Sequence, residues 1–164
     1  MRNCEEFGKK YQGGKFVISF SRLTLLNGSP QHVTGDFSCF GNQLTSLVGG
    51  PQIVDAGYDC RSNSLTDLVG CASHIGGKLY FEGNPLTSLV GIHKIIKSCN
   101  EIWFTGNKVT QGGIGLLLIE NLTIIATDTI PFQIISTYLG SGTKGMMECR
   151  KELLSRGYDQ YAKL

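Results

Sequence analysis

Residues 37–47 read FSCFGNQLTSL, and the phrase returns twenty-one residues on as YDCRSNSLTDL (58–68) and again as LYFEGNPLTSL (79–89). A chain that repeats itself at a fixed short period builds one structural unit over and over, and each unit buries its apolar side against its neighbours. Working outward from these three copies, coils begin at Phe16, Phe37, Tyr58 and Leu79, and a fifth begins at Ile102 after two extra residues near Cys99 and Asn100. The shared skeleton has an apolar residue at coil positions 1 and 3, Asn at 6, Leu or Val at 8, usually Leu at 11 and Gly at 13.

Position 3 is filled by Ile18, Cys39, Cys60, Phe81 and Phe104, and position 8 by Leu23, Leu44, Leu65, Leu86 and Val109. Alternation at positions 1 and 3 predicts a short strand per coil, and stacked strands form a parallel sheet on one face. Position 6 carries Asn42, Asn63, Asn84 and Asn107 in register, with Ser21 in the first coil. A coil leaves its strand by a tight bend whose backbone groups face inward, and a carboxamide donates and accepts at once. A ladder of these four Asn is therefore expected to satisfy the bends from coil to coil. Leu26, Leu47, Leu68 and Leu89 fill the interior behind them, and Gly28, Gly49, Gly70 and Gly91 allow the turn that follows.

The phrases DCRSNSL (59–65) and YFEGNPL (80–86) resemble the leucine-rich repeat, L-x-L-x-x-N-x-L. The short period resembles the bacterial class of that family, and F-x-C-x-x-N-x-L-T-S-L-x-G-x-P resembles repeat proteins of tailed bacteriophages. The resemblance covers about residues 16–125. It departs at Ser21, at Gly112 where the skeleton has Leu, and in the longer fourth coil. It implies an α/β solenoid of about five 21-residue coils with its sheet on the concave side. One domain over 1–164 is expected: an N-terminal cap at 1–15, repeats at 16–125 and a helical C-terminal cap at 126–164.

The caps follow from the need to cover open coil ends. EEFGKKYQGG (5–14) is charged and aromatic, LLLIENLTIIA (116–126) suits a last buried strand or short helix, and Pro131 marks a helix start with Thr129 or Asp128 as cap. Gly140 is expected to stop that helix. A second helix follows, with Met146, Cys149, Leu153 and Leu154 on its apolar side and Glu148, Lys151 and Glu152 opposite.

Composition excludes more than it assigns. A formal net charge of +2 with 17% charged residues lacks the basic excess of a phosphate-backbone binder. No run of about 18 apolar residues is present, and the N-terminal residues lack the apolar stretch of a signal peptide, so no membrane partner and a cytoplasmic location are expected. Six scattered cysteines without a CxxC pair read as reduced thiols, and the NGS (27–29) and NLT (121–123) triplets carry no chemistry outside a secretory route. Cys39 and Cys60 share position 3 about 4.8 Å apart, close enough for a bridge, yet both point inward as small apolar residues. His32 and His74 share position 17 two coils apart, too far for one metal, and His93 stands elsewhere. GSGTKG (140–145) lacks phosphate-loop spacing and reads as a helix linker. No nucleophile, base and orienting group come within reach of one another, so no enzyme activity, metal or cofactor is expected.

The copying leaves the outward positions free. Position 2 reads Val17, Ser38, Asp59, Tyr80, Trp103, and position 4 reads Ser19, Phe40, Arg61, Glu82, Thr105. Tyr, Trp and Arg are enriched at interface hot spots. Phe40, Arg61, Tyr80 and Trp103, oriented by Asp59 and Glu82, are therefore the expected partner-binding residues, with a protein, such as a host bacterial protein, as partner and a monomeric chain until it binds. The alternative is that these aromatics pack on each other or under a cap. The phage resemblance adds an intracellular effector that inhibits a host enzyme or defence protein, or a structural component of the particle. A nucleic-acid surface, with Tyr80 and Trp103 stacking on bases, is opposed by Asp59 and Glu82 and by Arg61 as the only base of these columns.

Overall fold

An extended backbone sends alternate residues to opposite sides, so each coil's two apolar positions need only a few residues of strand to reach the interior. The computed structural model describes residues 3–164. Met1 and Arg2, the first residues of the expected N-terminal cap, lie outside that range. In chain order the strands are β1 (Phe16–Val17), β2 (His32–Val33), β3 (Phe37–Ser38), β4 (Ile53–Val54), β5 (Tyr58–Asp59), β6 (His74–Ile75), β7 (Lys78–Tyr80), β8 (Glu101–Trp103) and β9 (Ile124–Ala126). Strands β1, β3, β5, β7, β8 and β9 form a six-stranded parallel sheet in that order. Phe16, Phe37, Tyr58, Leu79, Ile102 and Ile125 stand in one line of register, and all six are buried.

Two features exceed the expected plan. Ile125 aligns with Ile102, so a sixth strand starts where the repeats were expected to end, and it runs into the helical cap without completing a coil. A second parallel sheet, β2–β4–β6, stacks at positions 17 and 18, with His32, Ile53 and His74 in one line. Bridges from His74 to Ser98 and from Ser98 to Glu120 carry it onward. Each of its strands buries one residue, Val33, Val54 or Ile75. A single buried residue per two-residue strand leaves no alternation to read, which is why only one sheet was expected. In the fourth coil the two extra residues accompany a turn of helix, α2 (Ile92–Ile95), and the fifth coil turns through a 3-10 helix at Ile114–Leu118.

The Asn ladder closes the bends. Asn42 accepts the Ser21 and Leu23 amides at 3.0 Å and donates to the Ile18 and Cys39 carbonyls at 2.9 Å. Asn63 accepts the Leu44 amide at 3.1 Å and donates to Cys39 and Cys60, and Asn84 accepts from Leu65 at 3.0 Å and donates to Cys60 and Phe81. Each carboxamide thus ties its own bend to the preceding coil. Asn107 continues the column in half measure: it donates to the Phe81 carbonyl at 3.2 Å, but its Oδ1 has no donor.

The ends are covered from both sides. Cys4, fully buried, donates its amide to the Asn27 carbonyl, α1 (Glu5–Gly8) follows it, and Tyr11 meets Phe16 edge-on at 5.5 Å. At the other end Thr129 is the N-cap residue of α3 (Ile130–Thr137) with Pro131 in its first turn, although the Thr129 side chain makes no capping bond. Gly140 takes the left-handed conformation three residues past the helix end, at φ 74°. Phe132 from α3 packs edge-on against Phe104 at 4.7 Å and Tyr161 at 5.4 Å. Gly112, where the skeleton has Leu, donates its amide to the Gln160 carbonyl and so fastens the cap to the fifth coil.

α4 (Gly142–Ser155) begins inside the GSGTKG stretch, so of that stretch only Gly140 and Ser141 belong to the link between the two helices. Its expected apolar side is corrected at two residues. Cys149 and Leu153 are buried, whereas Leu154 is 45% exposed. Glu152, expected to face away, turns in to accept the Tyr138 hydroxyl at 2.8 Å while pairing with Arg156.

Candidate functional site

Positions 2 and 4 face out from the six-stranded sheet, as the alternation requires, and parallel stacking brings their side chains into columns. What the columns do with one another is more specific. The Arg61 guanidinium lies 5.4 Å from the centre of the Phe40 ring in the coil before and 5.0 Å from that of Tyr80 in the coil after. Asp59, two residues back in the same coil, accepts Arg61 Nε at 2.9 Å and Nη2 at 2.7 Å, a two-pronged grip that also takes the Arg61 amide. That bond raises the guanidinium pKa further above its ordinary value. Planar, weakly hydrated guanidinium is the cation suited to such a sandwich between rings.

The row extends both ways. Tyr80 and Trp103 rings stand 6.1 Å apart. The Trp103 indole N–H donates to Glu101 at 2.9 Å, and Lys78 pairs with Glu101 at 3.1 Å while its ammonium lies 5.5 Å from the centre of the Trp103 ring. The indole bond, followed by Lys78, holds the Glu101 carboxyl below its usual value. At the other end Phe20, 71% exposed, meets Phe40 edge-on at 4.8 Å. Four rings with one guanidinium at their centre thus run across all five coils. Beside the row lies a shallow depression of ≈ 320 Å³ whose lining includes Val17, Ser38, Gly57, Asp59 and Tyr80. It opens where Gly57 has no side chain between Asp36 and Lys78.

All six predicted partner-facing residues lie on this face, but in different states. Phe40, Arg61, Tyr80 and Asp59 are locked together, and Trp103 is held by Glu101. The aromatics pack on each other and on Arg61 while remaining on the surface, so the two sequence readings of these rings describe one arrangement. Asp59 and Glu82, expected to act alike, are divided: Arg61 neutralises Asp59 and leaves Glu82 without an ion pair. The Glu82 Oε2 is sealed from solvent with no hydrogen-bond partner, and burial pushes its carboxyl up.

Sequence reasoning missed Phe20, Lys78 and Glu101. Phe20 sits at position 5, filled in later coils by Gly41, Ser62, Gly83 and Gly106, and all five backbones are left-handed. An aromatic in a column of glycines was the available signal, since a side chain in that conformation costs about 1 kcal/mol and needs a reason. Lys78 and Glu101 precede position 1 and therefore face outward by the same period of two, one step beyond the columns read.

Elsewhere, all six cysteines are free and buried, Cys39 and Cys60 included. His32 binds Asp55 at 2.8 Å, and His74 binds Ser73. Among the described residues no group of three or more His, Cys, Asp or Glu is placed to hold a metal, and no helix is long and apolar enough to cross a membrane. Comparison with protein-family models, with curated proteins and with solved structures finds no match in any of the three.

Proposed function

We propose that this chain is a non-enzymatic binding module that grips a protein partner on the outward face of its six-stranded sheet. The observation that carries this reading is the unbroken row from Phe20 through Phe40, Arg61 and Tyr80 to Trp103. Rigid rings pre-positioned by ion pairs lose little freedom on binding, which is what interface anchors require. The repeat phrase supports membership among leucine-rich-repeat proteins of the short-period bacterial and phage type. On that analogy the module works in a host-cell cytoplasm as an effector that inhibits a host enzyme or defence protein.

The nucleic-acid reading finds less support on this face, because Lys15, Arg61 and Lys78 are each already paired with a carboxylate. The test is capture of partners from bacterial lysate by the tagged protein beside a folded Tyr80→Ala, Trp103→Ala variant. A partner held by the natural protein and lost by the variant is the expected result. Equal retention by both would move the site off this face.

A further inference from the structure

The proposed binding face also carries a chemical demand that its own residues leave unmet, and this inference rests on that reading of the face. Its cations are engaged: Lys15 with Asp36 at 3.1 Å, Arg61 with Asp59 at 2.7 Å, Lys78 with Glu101 at 3.1 Å. Of the carboxylates in these columns only Glu82 has no ion pair. Its neighbour Arg61 is the natural counter-charge and favours its charged form, but the guanidinium is held by both oxygens of Asp59 and makes no ion pair with Glu82. Carboxylates therefore outnumber cations on this face, although the whole chain carries a formal +2.

Glu82 is half-buried, and although the backbone at Glu82 and Phe81 favours its charged form, its Oε2 has lost hydration with no hydrogen bond to replace it. Tyr80 stands two residues back at the end of β7, and Trp103 stands beside Tyr80 in the next coil. A carboxylate on a face lined by aromatic side chains is a receptor for a long cationic side chain, which gains a charge-assisted hydrogen bond from the one and apolar contact for its stem from the others. Rotation of the carboxyl about its last, broad torsion is enough to offer either oxygen outward.

We propose that the partner contributes an Arg or Lys side chain that docks on Glu82 beside Tyr80 and Trp103, so that the recognised element is a basic segment of a protein. The adjoining depression over Val17 and Gly57 takes an apolar side chain of the same segment.

The test uses short random-sequence peptides, displayed on yeast and selected against the immobilised full chain. Selected peptides are then synthesised and titrated against the natural protein, Glu82→Gln, and the Tyr80→Ala, Trp103→Ala variant. Glu82→Gln keeps the shape of the side chain, and its fold is checked by thermal unfolding. The expected result is selection of peptides with a central Arg or Lys, weakened about tenfold or more by Glu82→Gln. Replacing that basic residue of the peptide by Met should cause a similar loss, and the two losses should not add, since they remove one interaction. Peptides that need Tyr80 and Trp103 but are neutral or acidic, or that bind Glu82→Gln equally, would overturn the cationic partner and leave the face standing. Peptides indifferent to both variants, or no selected peptide, would overturn the face and this inference together.

Discussion

The ladder Asn residues are not equivalent, although the repeat writes them alike. Asn63 serves one inward amide and two inward carbonyls in buried surroundings, so Asn63→Ala strands the Leu44 amide and takes one of two donors from each of the Cys39 and Cys60 carbonyls, which keep Asn42 and Asn84. The stranded amide costs about 1–3 kcal/mol and the two lost carbonyl bonds add to it, so the variant is expected to lose about 3 kcal/mol of stability. Asn107 makes one bond and leaves Oδ1 unpaired, so Asn107→Ala should cost only about 1 kcal/mol. Urea unfolding of the two variants measures the contrast, and equal losses would contradict the ladder as described here.

At the scale of the coil, glycine matters where the neighbouring coil comes closest. Gly70 has φ 87°, and a Cβ there would land on the backbone nitrogen of Val48 one coil earlier. Gly106 has φ 77° with open space around it. Gly70→Ala combines backbone strain with a clash that only separating two coils relieves, at about 3 kcal/mol, whereas Gly106→Ala bears the strain alone, about 1 kcal/mol. Denaturant titration of the pair separates the two contributions. The same coil-to-coil contact explains why the sixth strand and second sheet appear: once five coils stack, any extended residue at matching height meets a partner, whatever its own propensity.

For the whole molecule, the interior thiols set an alkaline limit. Burial pushes the Cys99 and Cys149 thiols up to about 11 from 9.0, and pushes Cys39 and Cys60 well above it. Above pH 9 an unfolded chain releases these protons while the folded chain holds them, so the folded state binds more protons and loses stability as pH rises. The contribution from Cys99 and Cys149 is complete below pH 9 and falls away from there through about 11. Thermal midpoints measured over that window should decline, and Cys149→Ala should flatten part of the decline. A midpoint unchanged up to pH 11 would show that these thiols ionise without unfolding.

What the sequence by itself determined is whatever repeats: the coil length, the inward columns of Phe, Leu and Asn, the glycine turns and the identity of the outward residues. Stacking is local and periodic, so residues one period apart must meet, and a single coil's pattern predicts the rest. Only the tertiary structure decided the choices among competing partners. Arg61 had Asp59 in its own coil and Glu82 one coil away, and its setting between the Phe40 and Tyr80 rings accompanies the choice of Asp59, which leaves Glu82 without an ion pair. Leu154 is exposed where it was expected inside, and Glu152 turns in to accept the Tyr138 hydroxyl. Such outcomes depend on distances between side chains from different coils and caps, which periodicity constrains but does not rank.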